Sequence, residues 1–397
     1  MTLAGAAPQW AMAQAQASPQ DLQAAWTDGT RALREGRPAD AVPHLRRIAE
    51  SGQATPPVWV ALAMAHKALG QSDAKLAALQ RALSGDPRDL RALLMTADHH
   101  AETGDTRAAS AYYDAVVKVA VANGSVEPAL QAEVGRAQHM RERYAADYEA
   151  HLVRTLGDLS GPEARRVRGS LDLLLGKTEL YLQQPKNFYF PELPNIHYAP
   201  RADFPWLDKI EAATDDIRAE LMTILEEDAG FSPYVEAEPN RPFFDDHGML
   251  GNPNWSAFYI WKGGTLIAEN AARCPATVEA LKDAPLCRIP GRTPSVLFSL
   301  LRPGAHIQPH HGFTNARYIC HLPLIVPSDC AMRVGSDTRP WVEGQACVFD
   351  DSIEHEAWNR NADRLRVVMI FDVWRPELSE TERRLVADIL QAVDTYR

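Results

Sequence analysis

The chain has 397 residues, 46% of them hydrophobic, and a formal net charge of −11. That length accommodates two or three ordinary globular domains. The acidic balance excludes an overall basic field of the kind that draws DNA, RNA or an anionic membrane, so nucleic acid is not an expected partner. The five cysteines form no CxxC pair, and an odd, scattered set fits buried thiols in a reducing cytosol better than a disulfide framework. Residues 5–15 (AGAAPQWAMAQ) carry no basic n-region and no unbroken apolar core, which argues against a secretory signal. No stretch approaches the ~18 consecutive apolar residues of a membrane span. The expected location is cytoplasmic.

Residues 1–18 read as a flexible, alanine-rich lead-in. Beyond them the chain repeats. Gly36, Gly70 and Gly104 are spaced by 34 residues, each preceded and followed by an alanine- and leucine-rich helical pattern. Leu45, Leu79 and Tyr113 each fall nine residues after their glycine, and small residues recur in phase at Gly29, Ala63 and Ala97. A 34-residue period with this punctuation resembles the tetratricopeptide repeat, in which each helical hairpin has an apolar face that only its neighbour can cover. Residues 125–183 keep a helical pattern and are expected to cap the stack. At 184–205 five prolines and many aromatics replace that pattern, excluding regular helix and predicting an extended segment pinned by its rings. The domain boundary is therefore expected near 183.

A helix follows from Pro205 to Gly230, with Ile210, Ile217, Leu221 and Ile224 at three- to seven-residue intervals. Residues 255–261 suit a strand, and ATVEALKDAP a short helix. From Ser295 the period becomes two: SVLFSLL, ARYICHLPLIV, CAMRVG, QACVFDD and RLRVVMIFDVW are short strands separated by turn residues. The expected class is α+β and multidomain. A helical-repeat domain (19–183) precedes a double-stranded β-helix, or jelly roll, with flanking helices (184–397). Ser379, with Glu382 three residues on, predicts the start of a terminal amphipathic helix.

The residues that carry chemistry lie between Ser299 and Pro376. His310 and His355 sit at opposite ends of this strand-rich stretch. A non-haem iron centre commonly uses two histidines and one carboxylate, leaving open positions for cosubstrate and oxygen. The carboxylate normally follows the first histidine at His-x-Asp or His-x-Glu. Here His310-His311-Gly312 puts glycine in that place, and two histidines alone make a weak metal site unless water completes it. Asp350 and Asp351 are candidates for the missing carboxylate, and the simpler reading makes them a turn before the His355 strand.

From Asn254 to Leu378 the motifs NWSAFYIW, PGAHIQPHHGFTNAR, CHLPLIVP, WVEGQACVFDDSIEHEAW and FDVWRPEL resemble the aspartyl/asparaginyl β-hydroxylase family. Members are Fe(II)- and 2-oxoglutarate-dependent oxygenases, and animal members carry tetratricopeptide repeats ahead of the catalytic domain. The resemblance implies His310 and His355 as iron ligands, with Gly312 marking a vacant carboxylate position that water fills. It implies Ser299, His321 and Arg366 as the 2-oxoglutarate site, O2 as the second cosubstrate, and Arg317 and Trp255 as substrate contacts. Arginine suits the anchor because its planar fork meets a carboxylate with two parallel hydrogen bonds. The chain departs from the animal pattern at Ile319, where those members have arginine. The implied reaction is hydroxylation of the β-carbon of aspartyl or asparaginyl residues in a polypeptide, presented in part by the repeats. The alternatives are a small-molecule or lipid-linked substrate or, in a different class, a peptide-binding scaffold without catalysis.

Overall fold

A computed structural model describes residues 18–227, 230–236 and 248–396. The lead-in expected over residues 1–18 lies, but for Ser18, outside the described residues. The chain divides into two compact units between Leu171 and Asp172.

In the N-terminal unit six helices form three hairpins: α1 (Pro19–Arg34) with α2 (Pro38–Glu50), α3 (Pro56–Ala68) with α4 (Ser72–Gly85), and α5 (Leu90–Glu102) with α6 (Thr106–Asn123). The 34-spaced glycines are the hairpin turns. Gly36, Gly70 and Gly104 have φ of +71°, +70° and +80°, a backbone conformation that side-chain-bearing residues resist. Leu45, Leu79 and Tyr113 are all buried between neighbouring helices. A Cβ on Gly29 would meet Leu45 Cγ at 2.9 Å, so the small residue sets how closely α1 and α2 approach. Two further helices, α7 (Pro128–Leu156) and α8 (Arg165–Leu174), complete the helical run.

Beyond the end of α8 at Leu174, the C-terminal unit continues as an extended segment rather than a helix. Its attachments begin earlier than the proline-rich composition indicates, because Tyr181 and Gln183 are already tied to it. The Tyr181 carbonyl accepts from Asn195 Nδ2 at 2.9 Å, and Gln183 Nε2 donates to Asp350 Oδ2 at 2.7 Å. Phe188, Phe190 and Leu193 pack onto an apolar cluster, as the ring-rich composition predicts. The helix expected over 205–230 is two, α9 (Leu207–Ala212) and α10 (Thr214–Glu226), broken at Ala213. After β1 (Ser232–Pro233), β2 (Trp255–Lys262) and β3 (Thr265–Leu266) come the short helices α11 (Ala268–Arg273) and α12 (Pro275–Ala280). Eight strands follow: β4 (Val296–Leu301), β5 (His306–His310), β6 (Arg317–Ile325), β7 (Cys330–Val334), β8 (Asp337–Pro340), β9 (Cys347–Phe349), β10 (His355–Asn359) and β11 (Arg366–Trp374). Helix α13 (Glu380–Thr395) starts at a Ser379–Glu382 capping box, as predicted.

The strands form two antiparallel sheets, one in the order β1-β2-β4-β11-β6-β9 with β3 beside β2, the other β5-β10-β7-β8. The large sheet is covered on both faces. Val296, Phe298 and Leu300 of β4, Tyr318, Cys320 and Leu322 of β6, and Val367, Met369 and Phe371 of β11 pack with helices α9, α10 and α12. The alternate residues of the same strands face the small sheet, where Leu297, Leu301, Val368 and Ile370 meet Ile307, Met332 and Ala357. A sheet buried on both sides reads as near-continuous apolar sequence. Its polar exceptions on the inner face are therefore informative: Ser299 on β4, Arg317 and His321 on β6, and Arg366 and Asp372 on β11. All five are buried.

Candidate active site

The eight residues singled out from sequence, Trp255, Ser299, His310, Gly312, Arg317, His321, His355 and Arg366, line one cavity of about 730 Å³ within the C-terminal unit. Strand period explains the convergence. Arg317, Ile319 and His321 alternate along β6, and Arg366, Ile370 and Asp372 lie on one side of β11.

The two histidines come from neighbouring strands of the small sheet. His310 ends β5 and His355 begins β10, and they are partners in register. Their ring centroids are 4.1 Å apart. His310 Nδ1 lies 2.7 Å from the Gln308 carbonyl oxygen and His355 Nδ1 lies 3.0 Å from the Ile353 carbonyl oxygen. A carbonyl can only accept, so each Nδ1 carries its proton, and a ring that is neutral has its lone pair at Nε2. Burial pushes the His355 imidazole down to about 4, which keeps it neutral, the form that binds a metal. Pro309 beside His310 fits because β5 is an edge strand with a partner on one side only.

Gly312 has no room for a side chain. A Cβ there would sit 2.0 Å from Asp351 Oδ2, and the Gly312 N–H donates to the Asp351 carbonyl at 2.6 Å. The proline-rich segment holds the same loop from the other side, with Lys186 N donating to the Gly312 carbonyl at 2.9 Å. The space a side chain at position 312 would need is thus filled by the Asp351 carboxylate. Sequence reasoning placed Asp350 and Asp351 in a turn, and they are in one, but both are buried and differently engaged. Asp350 is paired with Arg375 at 2.9 Å. Asp351 accepts from Arg317 Nη2 at 3.0 Å, and its Oδ1 has no hydrogen-bond partner.

Arg317, expected as a substrate grip, lies between two acids. Its Nη2 meets Asp351, and its Nη1 is 3.0 Å from Asp372 Oδ1, although Nη1 and Nε make no hydrogen bond of good geometry. Asp372 gave no sequence signal beyond alternation with Arg366. Trp255 stacks on Tyr234 with centroids 4.0 Å apart and donates Nε1–H to Ser299 Oγ at 3.1 Å. That bond fills one acceptor site on Ser299 and leaves its hydroxyl proton to be donated elsewhere.

Arg366 is 1% exposed, and among the described residues no carboxylate lies within ion-pair distance of it. Nη1 reaches only the Ser299 carbonyl at 3.5 Å, Nε has no partner, and the Trp341 ring lies beneath the guanidinium at 4.8 Å. Burial lowers its pKa to about 10, still charged at neutral pH. His321 is beside it, with Nδ1 unpartnered and its pKa held well below the ordinary value by burial and by Arg366. A buried cation without a counter-ion is costly. This end of the cavity is built for an anion.

Among the described residues no three of His, Cys, Asp and Glu form a ready-made metal cage. A metal would rest on His310 and His355 alone, a two-histidine donor set that fits a centre completed by water or a bound ligand.

Residues 211–376 match the family profile described as aspartyl/asparaginyl beta-hydroxylase. Over those residues the C-terminal unit, a two-sheet cavity with this residue set, is similar to that family. The human aspartyl/asparaginyl beta-hydroxylase is 38% identical over 143 residues, covering 35% of this chain and 18% of that protein. Human aspartate beta-hydroxylase domain-containing protein 2 is 31% identical over 207 residues, covering 51% of this chain and 54% of that one. The ornithine lipid ester-linked acyl 2-hydroxylase of Rhizobium tropici is 33% identical over 193 residues, covering 48% and 64%. The chain thus spans less than two thirds of the length of each. In the helical part, PcrH from Pseudomonas aeruginosa is 20% identical over 32% of this chain and 93% of its own, with a TM-score of 0.29.

Proposed function

We propose that the C-terminal unit is an Fe(II)- and 2-oxoglutarate-dependent oxygenase that hydroxylates the β-carbon of aspartyl or asparaginyl residues in a polypeptide. The observation that carries this reading is the pairing, in one cavity, of two lone-pair-presenting histidines with an uncompensated buried guanidinium. His310 and His355 would hold the iron. Arg366, with Ser299 and His321, would hold the carboxylates of 2-oxoglutarate. Bound together with O2, the metal and cosubstrate supply the oxidative decarboxylation that places one oxygen atom on an unactivated C–H bond. The chain's own part is to orient and to shield. The Gln308 and Ile353 carbonyls fix the histidine tautomers. Trp255 sets the Ser299 hydroxyl, and Arg317 holds Asp351 against Gly312. The apolar side chains of Ile307, Ile319 and Ile370 line the cavity and limit water.

The two packed antiparallel sheets support a jelly-roll description of this unit, and five free cysteines, four of them buried, suit a reducing cytoplasm. Among the described residues no helix is long and apolar enough to cross a membrane.

Two measurements test the reading. Anaerobic titration of Fe(II) and 2-oxoglutarate should give the charge-transfer absorption of a bound 2-oxo acid, and the Arg366→Met variant should need far more 2-oxoglutarate to reach it. Mass spectrometry of proteome peptides with and without the active protein should find +16 Da on Asp or Asn. Iron-loaded protein that makes no succinate with any peptide would sink the peptide assignment. A second reading, hydroxylation of a lipid-linked acyl chain, is favoured by one feature. Ile319 places an apolar side chain between Arg317 and His321, and the Rhizobium tropici relative acts on an acyl group by its name. A +16 Da shift on lipid extracts alone would select it.

A further inference from the structure

A second, smaller cavity adjoins the first. It is a cleft of about 300 Å³ between α13 and the turn at 288–290, lined by Arg288, Arg383, Arg384, Asp388 and Trp374 among others. Three arginines and one aspartate line it, in a chain whose net charge is −11. Among the described residues Arg288 and Arg384 have no ion partner and are exposed. Arg383 donates Nη2–H to the Arg375 carbonyl at 3.1 Å, while its Nε is buried without a partner. Arginines of a folded surface normally find the nearest acid. Here three line one cleft with Asp388, and among the described residues none of them forms an ion pair.

The cleft is joined to the active-site cavity by a single turn. Ile289 and Thr293 exchange both backbone hydrogen bonds at 2.9 Å, and Gly291 at the tip has φ +76°. Pro290 lines the cleft, while the next residues, Gly291, Arg292 and Thr293, line the cavity. The turn is fixed on the cavity side, where Arg292 Nε donates to Asp394 of α13 at 2.7 Å and its guanidinium lies over the Phe313 ring at 5.1 Å. A chain leaving the cavity over this turn would pass from residues that line the cavity to residues that line the cleft.

We propose that this arginine cleft is an accessory site for carboxylates flanking the modified residue, so that the favoured substrate is an acidic stretch of polypeptide. The proposal rests on the hydroxylase reading above for the modified residue, but binding at the cleft does not depend on turnover. Arginine forks match carboxylate geometry. Asp388 inside the cleft disfavours a compact doubly charged group such as phosphate and suits single carboxylates spaced along a chain. The indole of Trp374 and the ring of Pro290 supply apolar walls for the methylenes of glutamate side chains.

The test uses the full chain and fluorescein-labelled peptides with a central Asn followed by four glutamates or four glutamines. Fluorescence anisotropy should show the glutamate peptide binding at least about tenfold more tightly at low salt. The Arg288→Ser/Arg384→Ser double variant should lose that preference, with unchanged melting temperature and unchanged peptide-independent 2-oxoglutarate turnover. Millimolar inorganic phosphate should not compete. Equal affinity for the two peptides, or a preference that survives in the double variant, overturns the proposal. So does sedimentation with phosphatidylglycerol vesicles that needs these arginines while the peptide preference is absent. A wild-type chain without iron-dependent 2-oxoglutarate turnover defeats the hydroxylase reading separately, because the anisotropy arms still decide the cleft.

Discussion

The two units treat buried polar groups in opposite ways. In the helical unit the polar groups that go inside are paired. Lys75 meets Glu102 at 2.8 Å, Thr96 donates to the Ala92 carbonyl at 2.7 Å, and Asp98 takes bonds from both Tyr113 and Arg136. The buried side-chain atoms without a hydrogen-bond partner among the described residues all lie in the C-terminal unit. Most belong to four residues of the cavity, Arg317, His321, Asp351 and Arg366. Each such atom costs about 1–3 kcal/mol of stability, and more when charged. One unit is thus settled for stability, while the other holds unpaired donors and acceptors in readiness for ligands.

The comparison can be broken at either end. The largest expected effect is His310→Ala, which should lower iron-dependent 2-oxoglutarate turnover at least about a thousandfold while leaving the fold intact. Undiminished turnover would remove His310 from the site. Next is Leu79→Ala in the helical unit. Its fully buried side chain should cost about 2–5 kcal/mol in denaturant unfolding of that unit. The sharpest contrast comes from Arg366→Met. It should raise the 2-oxoglutarate KM by about 10–100-fold, the worth of charged hydrogen bonds. Yet the ligand-free protein should melt no lower than wild type, because an unpaired buried charge has been removed. A fall in melting temperature would mean that Arg366 is structural. The smallest effect concerns His197, whose pKa burial lowers, so the folded state prefers the neutral ring. Its contribution is complete above the ordinary histidine pKa and is lost as pH falls below it. Unfolding of wild type should therefore steepen toward pH 5 more than that of His197→Gln.

Much of this was legible in the sequence because the physics is local. Three glycines in phase announce three hairpins, since a left-handed turn admits little else. Alternation along β4, β6 and β11 places Ser299, His321 and Arg366 on a common face once the sheet is known to be buried on both sides. What could not be read depends on distant contacts. Asp351 packs against Gly312 and is tied to it by a backbone bond between two loops, and no spacing rule links residues 312 and 351. Strand β8 (Asp337–Pro340) is mostly exposed and has no apolar alternation to betray it. The break at Ala213 interrupts an unbroken helical pattern because the chain turns there to lay α9 and α10 on the same sheet face. Prolines mark a boundary near 183, while attachment begins with Tyr181 and Gln183, whose polar contacts no composition signals.

The small sheet ends in proline on both sides, Pro309 on β5 and Pro340 on β8. Proline cannot donate to a further strand, and β8 adds Asp337 and Arg339 to its rim, so neither border invites another chain to zip on. The strand that carries His310 can therefore border an open cavity without becoming a seed for aggregation.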